Sequence, residues 1–474
     1  MNAMHVGRSA AERDAVTDHL KSSGEDWTSG TPNFHRSTRA DMLKKLEQVR
    51  DAVLLNTDAA PAEAEAAYED SYTFVDQSFD FYDGTRTLGV ELGRAFLVPM
   101  RSDRVRDACA SESIPFFPLL DPHRFGVSSE VRMRTMYGLP PTVLDTYLGS
   151  DNPVETGALV LAPLYADMAA DLWRDPADIG QAMYLSSVVH TVLADTVAFA
   201  HRRLGAKYLG LGAILPHPSL TDFGRKIRAL PGAEAVTTTT GHGGTVAMLI
   251  ETIRMVLRRQ PTRFDGRIGI LGGAGSIGWS TVLAVRAAFP ELAVCAFDKR
   301  RDRMRSLADS ADRIEIGCAD SAAEILMSSR LVVSAITETL DLDDPAYADV
   351  DLSGTVWIDD SQPGSVARDQ LETRGGTLLW VAGRDGSVNG FMTRDGYRTG
   401  GVAYNYGDGS GLYGHTTEFA CGLEAAVVAA SGDRANAVTG PVTFVDVQRI
   451  SMLFERYGVD LAPLQSFGRP VELA

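Results

Sequence analysis

Between Arg263 and Arg394, short apolar runs alternate with helix-length or loop intervals: RIGIL, LAVCAF, RLVVSAI, GTVWID and GTLLWVA. Such runs are what a parallel, doubly wound sheet requires, because both of its faces are covered and its strands are buried on each side. The flanking regions have a different texture. Residues 1–70 are polar and weakly periodic, with one helix predicted over RADMLKKLEQVRDAVLL, where Met42, Leu46, Val49 and Val53 share a face. From 71 to 260 the pattern is mixed. It holds a strand-like GALVLAPLY, helical periodicity through Met183, Leu185, Val188, Val192 and Leu193, turn-bounded stretches in KYLGLGAILPHPSL, and a helix at GTVAMLIETIRMVLRR. Residues 395–474 return to helices, one in EFACGLEAAVV and one from Val445 to Tyr457.

The first apolar run leads directly into a glycine loop, RIGILGGAGSIGWSTVLAV. Gly273, Gly275 and Gly278 satisfy Gly-x-Gly-x-x-Gly, and Gly272, Gly275 and Gly278 satisfy Gly-x-x-Gly-x-x-Gly. Glycines at a strand-to-helix turn let backbone approach a pyrophosphate, and the first helical residues, here Ser276, Ile277 and Gly278, supply oriented N–H donors. Asp298 ends the next apolar run, where an acid reads the ribose hydroxyls of NAD. Lys299, Arg300 and Arg301 follow at once and suit the extra phosphate of NADP. The cofactor expected is therefore NADH or NADPH, with NADH slightly favoured by Asp298. The expected fold is α/β: a Rossmann-type doubly wound parallel sheet (261–394) inserted in a second, mixed α/β substrate domain. That second domain is made of 71–260 and the helical 395–474, behind a polar, partly mobile N-terminal arm (1–70).

Composition narrows the partners. The formal charge of −17 argues against a nucleic-acid surface, which needs concentrated basic residues. Arg202, Arg203 and Lys207, and again Arg225, Lys226 and Arg228, form local basic clusters that an acidic partner could use or that simply face solvent. No uninterrupted apolar run reaches about 18 residues, and the N-terminus lacks a signal-peptide core, so no membrane span is expected. Cys109, Cys295, Cys318 and Cys421 are scattered without a CxxC pair. They fit a reducing, cytoplasmic setting and offer no metal-ligand spacing.

Three ordered stretches resemble the long-chain acyl-[acyl-carrier-protein] reductases that form fatty aldehydes. They are VTTTTGHGGTVAMLIETIR, the glycine loop with LVVSAI and GTVWIDDSQPGSV (Asp359 and Pro363), and EFACGLEAAVV, where Phe419, Ala420, Cys421, Glu424 and Ala425 match position by position. Fainter similarity covers residues 155–465. His242 stands where that family has Asn, and Asp298 stands near its NADP-binding Arg. The resemblance implies that Cys421 carries an acyl group as a thioester, that a nicotinamide hydride reduces it to an aldehyde, and that the donor is an acyl carrier protein or acyl-CoA.

The same chemistry sets expectations for the neighbours. A cysteine in the first turn of a helix gains from the dipole and free N–H groups, which predicts a thiol pKa below about 8.5. Glu418 and Glu424, three residues either side, oppose that. His415 is the nearest histidine in sequence and a candidate base, and His242 is a second candidate for base or oxyanion donor. A Thr-capped, Gly-rich helix entry is the plainer account of the His242 segment. Tyr404, Tyr406 and Tyr413 read as packing, and the other three cysteines as structural. A dehydrogenase acting directly on a carbonyl or hydroxyl, and a non-catalytic nucleotide-binding protein, are the alternatives.

Overall fold

The computed structural model describes residues 36–89, 92–100, 117–148, 156–166, 179–260, 264, 266–311, 315–361, 364–385, 393–394, 417–466 and 469–473. His415, Pro363, Cys109, Tyr404, Tyr406 and Tyr413 lie outside these residues. Two six-stranded sheets organise the chain. The second is wholly parallel, in the order Thr377–Trp380, Val356–Asp359, Leu331–Ser334, Arg267–Leu271, Ala293–Phe297, Ile316–Cys318. Counted along the chain this is a 3-2-1-4-5-6 arrangement, the doubly wound Rossmann topology, and the order reverses between Arg267–Leu271 and Leu331–Ser334. The helices Ser276–Ala288, Arg301–Ser310, Ala322–Ser328 and Arg368–Thr373 connect its strands.

The first sheet is mixed. Arg94–Met100 lies at its centre, parallel to Gly157–Tyr165 on one side and Tyr208–Leu211 on the other. Thr237–Thr239 extends it in parallel beyond Tyr208–Leu211, and Thr142–Leu148 pairs antiparallel with Gly157–Tyr165. Every residue of Arg94–Met100 is buried, Arg94 included. The short Thr393–Arg394 adds a further antiparallel edge next to Thr142–Leu148.

The expected helix over Met42 to Val53 spans Arg39–Asn56 and buries Met42, Leu46, Val49 and Val53. Thr38 and Asp41 close a capping box at its start, which satisfies N–H groups the helix cannot bond internally. It packs beside a second helix, Pro61–Asp83. The long helix Ile179–Arg202 lies against Gly157–Tyr165. Its stretch Ala182–Arg202 is, among the described residues, the one helix long and apolar enough to cross a membrane, with mean hydropathy 1.3 and half of it buried inside the fold. That helix also carries Asp195, which pairs with Arg36 at 3.0 Å.

Three helices join the sheets: His242–Arg259, Ala420–Ser431 and Phe444–Arg456. Ala420–Ser431 is buried nearly all round, which accounts for its lack of a polar stripe. It rests on the first sheet where Gly210 leaves room: a Cβ there would sit 2.5 Å from the Ala425 Cβ and 2.8 Å from the Phe96 ring. A small antiparallel sheet sets its entry, with Gly383–Asp385 pairing both Thr417–Glu418 and Val459–Leu461. Gly210→Val should therefore overpack this contact and lower stability by about 1–3 kcal/mol, read from chemical denaturation midpoints. An unchanged midpoint would mean that the helix has slack the packing does not suggest.

Candidate active site

The glycine loop occupies the crevice where the strand order reverses. Gly272 adopts φ +81°, a left-handed turn, and a Cβ there would overlap the Ala335 carbonyl at the end of the neighbouring strand Leu331–Ser334. The N–H groups of Gly272 and Gly273 both donate to the Phe297 carbonyl, at 2.8 and 3.0 Å, which fastens the loop to the next strand. Gly275 caps the helix Ser276–Ala288 without a side-chain bond. The first-turn N–H groups of Ser276, Ile277 and Gly278 have no intrahelical acceptor and can take an anion. A side chain at Gly278 would overlap the Gly272 carbonyl. The cradle thus fits a dinucleotide pyrophosphate by shape and by donors.

Asp298 is nearly buried and turned toward this loop. One carboxylate oxygen accepts the Ala274 N–H at 3.0 Å, and the other accepts the Arg300 N–H at 2.9 Å and its Nε at 3.3 Å. Lys299 pairs with Glu338. An open cavity of about 710 Å³ is lined by Lys299, Arg300, Arg301, Asp302, Arg303 and Arg305. Arg300 thus ties the acid to the basic run that follows it.

Cys421 is the second residue of the helix Ala420–Ser431 and is half-buried. Its near neighbour is the turn at Gly241, which has φ +78°; a Cβ on Gly241 would overlap the Cys421 Cβ. The next residue, His242, places Nδ1 3.1 Å from the Ser276 hydroxyl at the start of the glycine-loop helix. Ser276 Oγ also accepts the Val442 N–H at 3.0 Å. The start of the Cys421 helix and the glycine loop are therefore joined through two consecutive residues, Gly241 and His242. Phe223 lies edge-on to the His242 ring at 6.0 Å. The Thr-capped account of this segment is partly present as well, since Thr240 Oγ1 accepts the His242 N–H at 3.4 Å.

Glu424 holds the arrangement together from beneath. It is fully buried. One oxygen accepts the Thr239 hydroxyl and the Gly241 N–H at 3.0 Å, and the other accepts the Gly244 N–H at 2.7 Å. The cap residue Gly241 has no side chain to satisfy the start of helix His242–Arg259, and Glu424 does so from a different helix. Burial pushes the Glu424 carboxyl up, and the Thr239 hydroxyl and glycine N–H donors pull it back.

The electrostatics of the thiol correct the expectation from the helix N-terminus. Burial, followed by the charges of Glu418, Asp360 and Glu424, pushes the Cys421 thiol up, against a lowering by the Gly422 N–H. Desolvation and like charge outweigh the dipole here. His242 is displaced the other way: burial lowers its imidazole to about 4, so the ring is neutral at pH 7. His217 is lowered to about 4 by burial and then by Arg300 and Lys226. Cys295 and Cys318 are half-buried on adjacent strands, and burial raises both. No cluster able to hold a metal ion occurs among the described residues. Asp360, just past the end of Val356–Asp359, also raises the thiol through its charge; its signal in the sequence is no more than a doubled acid after an apolar run.

No protein-family model matches the chain, and no curated protein matches it. Among solved structures it is similar to an imine reductase from Pseudomonas sp., at 14% identity over 24% of this chain and 40% of that one, with TM-score 0.19. It is also similar to 3-hydroxyisobutyrate dehydrogenase of Mycobacterium tuberculosis, at 20% identity over 24% of this chain and 39% of that one, TM-score 0.20. A third is L-tryptophan dehydrogenase from Nostoc punctiforme, at 10% identity over 62% of this chain and 70% of that one, TM-score 0.30. The chain spans about two-fifths of the length of the first two.

Two outcomes follow from the site. Glu424→Ala strands a buried hydroxyl and two buried N–H groups and should cost about 3 kcal/mol or more, measured by denaturation. Alkylation of Cys421 by iodoacetamide should rise with pH later than that of an ordinary thiol, because its pKa is raised, and Glu418→Gln should shift the rise to lower pH. A rise at or below the ordinary thiol range would contradict the placement of the carboxylates.

Proposed function

We propose that the protein is a nicotinamide-dependent oxidoreductase that takes an acyl group from a thioester, borne by an acyl carrier protein or CoA, onto Cys421 and releases it as an aldehyde. The observation that carries this reading is the partly buried Cys421, whose Cβ packs on Gly241, one residue from a histidine bonded to Ser276 of the glycine loop. Bound NADH or NADPH supplies the hydride for the acyl carbon. The chain's own residues do the rest. The Ser276, Ile277 and Gly278 N–H groups hold the pyrophosphate, and Asp298 with Arg300 faces the ribose. First-turn N–H groups of the helix Ala420–Ser431 stabilise the tetrahedral oxyanion formed on Cys421. His242, neutral and tied to Ser276, orients the bound dinucleotide against the thiol.

The raised thiol favours a second reading, a dehydrogenase that acts directly on a carbonyl or hydroxyl without a covalent intermediate. Intact-mass spectrometry separates the two. After incubation with acyl-CoA and acyl-carrier thioesters in the absence of nicotinamide, the covalent reading expects an acyl adduct on Cys421. Cys421→Ser should lose both the adduct and aldehyde formation to background. Full turnover by Cys421→Ser, or by protein alkylated at Cys421, sinks the covalent route and leaves the direct dehydrogenase.

A further inference from the structure

We propose that the basic turn carrying Arg225, Lys226 and Arg228 is the surface on which an acidic acyl carrier protein docks to present its thioester to Cys421. This rests on the covalent reading above and chooses between the two donors that reading allows. The sequence holds two basic clusters, and the fold separates them. Lys207 precedes the strand Tyr208–Leu211, where its carbonyl accepts the Thr237 N–H at 2.8 Å, and Arg203 lies beside Gly84. Arg225, Lys226 and Arg228 follow the strand's carboxyl end and are held against the segment from Val438 to Val442. Arg228 Nη2 donates to the Thr439 hydroxyl at 2.9 Å. The Arg225 guanidinium covers Gly440, where a Cβ would come within 2.8 Å of Nη2.

That segment belongs to the framework of the site. The Thr240 N–H donates to the Val438 carbonyl at 3.0 Å, and the Val442 N–H donates to Ser276 Oγ. The Gly440 N–H donates to the Phe223 carbonyl at 2.9 Å, and the Phe223 ring meets His242, the residue after the Gly241 turn on which Cys421 packs. Two routes of direct contact thus join the basic turn to the turn beneath Cys421, one through Phe223 and one through Val438. The backbone here is strained: Asp222 has φ +47° and Phe223 φ +53°, left-handed in residues that carry side chains. The strain is held in place. The Phe223 N–H donates to the Pro216 carbonyl at 2.9 Å, the Gly224 N–H to the Thr221 hydroxyl at 3.0 Å, and that buried hydroxyl to the Leu215 carbonyl at 2.7 Å. Backbone strain persists where placement matters for function, and here it sets Phe223 against His242 with the cations directly after it.

All three cations are exposed. Among the described residues Lys226 and Arg228 have no carboxylate partner, and Arg225 has one, Asp222, at 3.7 Å. Arg39, by contrast, faces three aspartates. Acids outnumber Lys and Arg by 62 to 45, so most of this surface repels an acidic protein. A compact set of unneutralised cations next to the site reverses the local field and steers an acidic face to this place. Exposed cations hold a small phosphate such as CoA's weakly, because solvent and salt screen them. They act on the approach and orientation of a large charged partner.

The test uses the full chain as wild type, as Lys226→Glu/Arg228→Glu, and as Arg203→Glu/Lys207→Glu, which changes the net charge equally in the other cluster. Acyl transfer to Cys421 is read by intact mass without nicotinamide from three hexanoyl donors: an acyl carrier protein, CoA and uncharged N-acetylcysteamine. Binding of fluorescently labelled carrier is read by anisotropy at low and high salt. Lys226→Glu/Arg228→Glu should slow transfer from the carrier by about 10-fold or more, weaken its binding and flatten the salt dependence. Transfer from CoA and N-acetylcysteamine should stay near wild type, which also shows that the variant is folded. Arg203→Glu/Lys207→Glu should match wild type with every donor. The proposal is overturned if the carrier reacts alike with all three proteins, if both variants slow it equally, or if CoA or N-acetylcysteamine slows as much as the carrier. If no donor acylates wild-type Cys421, the covalent reading fails separately. Loss of carrier binding in Lys226→Glu/Arg228→Glu alone then still supports the docking surface, and its retention overturns it.

Discussion

One buried carboxylate decides where the reactive groups can be. Glu424 points from the cysteine helix into the start of another helix that lies some 180 residues earlier in the chain, and it replaces the cap that Gly241 cannot provide. The contact fixes two things at once. It sets the rotation of helix Ala420–Ser431, hence the side on which Cys421 emerges, and it sets the turn that carries His242. Thr239 belongs to the same knot: its hydroxyl donates to Glu424 and accepts the Val438 N–H at 2.9 Å, which draws in the segment leading to Ser276's other partner, Val442. A carboxylate buried this deeply is tolerated because its donors are backbone N–H groups that would otherwise be unsatisfied.

Gly241 is the geometric counterpart. The helix containing Cys421 comes so close that any side chain at 241 would occupy the sulfur-bearing carbon's space. Close approach packs Cys421 on the turn whose next residue, His242, bonds to the glycine-loop helix. The same closeness removes water, and so strengthens every charge that remains. Burial, and then the charges of Glu418, Asp360 and Glu424, oppose thiolate formation more than a single helix N-terminus can favour it.

The parallel sheet was legible because each strand is an apolar run bounded by turn residues, and the glycine loop names its position between strand and helix. The mixed sheet was harder to see. Its central strand reads RAFLVPM, opening with a charged residue that the fold buries and carrying a proline, which argues against a central strand. Thr237–Thr239 is a strand made of a residue type that also caps helices, and Tyr208–Leu211 carries a glycine whose purpose is to admit the cysteine helix. The Cys421 neighbourhood was legible through its local motif, but its pKa was not. The sign depends first on burial, which no local pattern records, and then on charges that include Asp360, more than 60 positions away in sequence.

A thiol kept protonated in its resting state has a physical consequence for the chemistry. Only the thiolate reacts readily with oxidants, so raising the pKa shields Cys421 from oxidation while the site waits. The same shift makes the sulfur a stronger nucleophile once its proton is removed, because nucleophilicity rises with basicity. Reactivity is then gated by proton removal rather than by the ambient fraction of thiolate. A site built this way needs a base within the crevice.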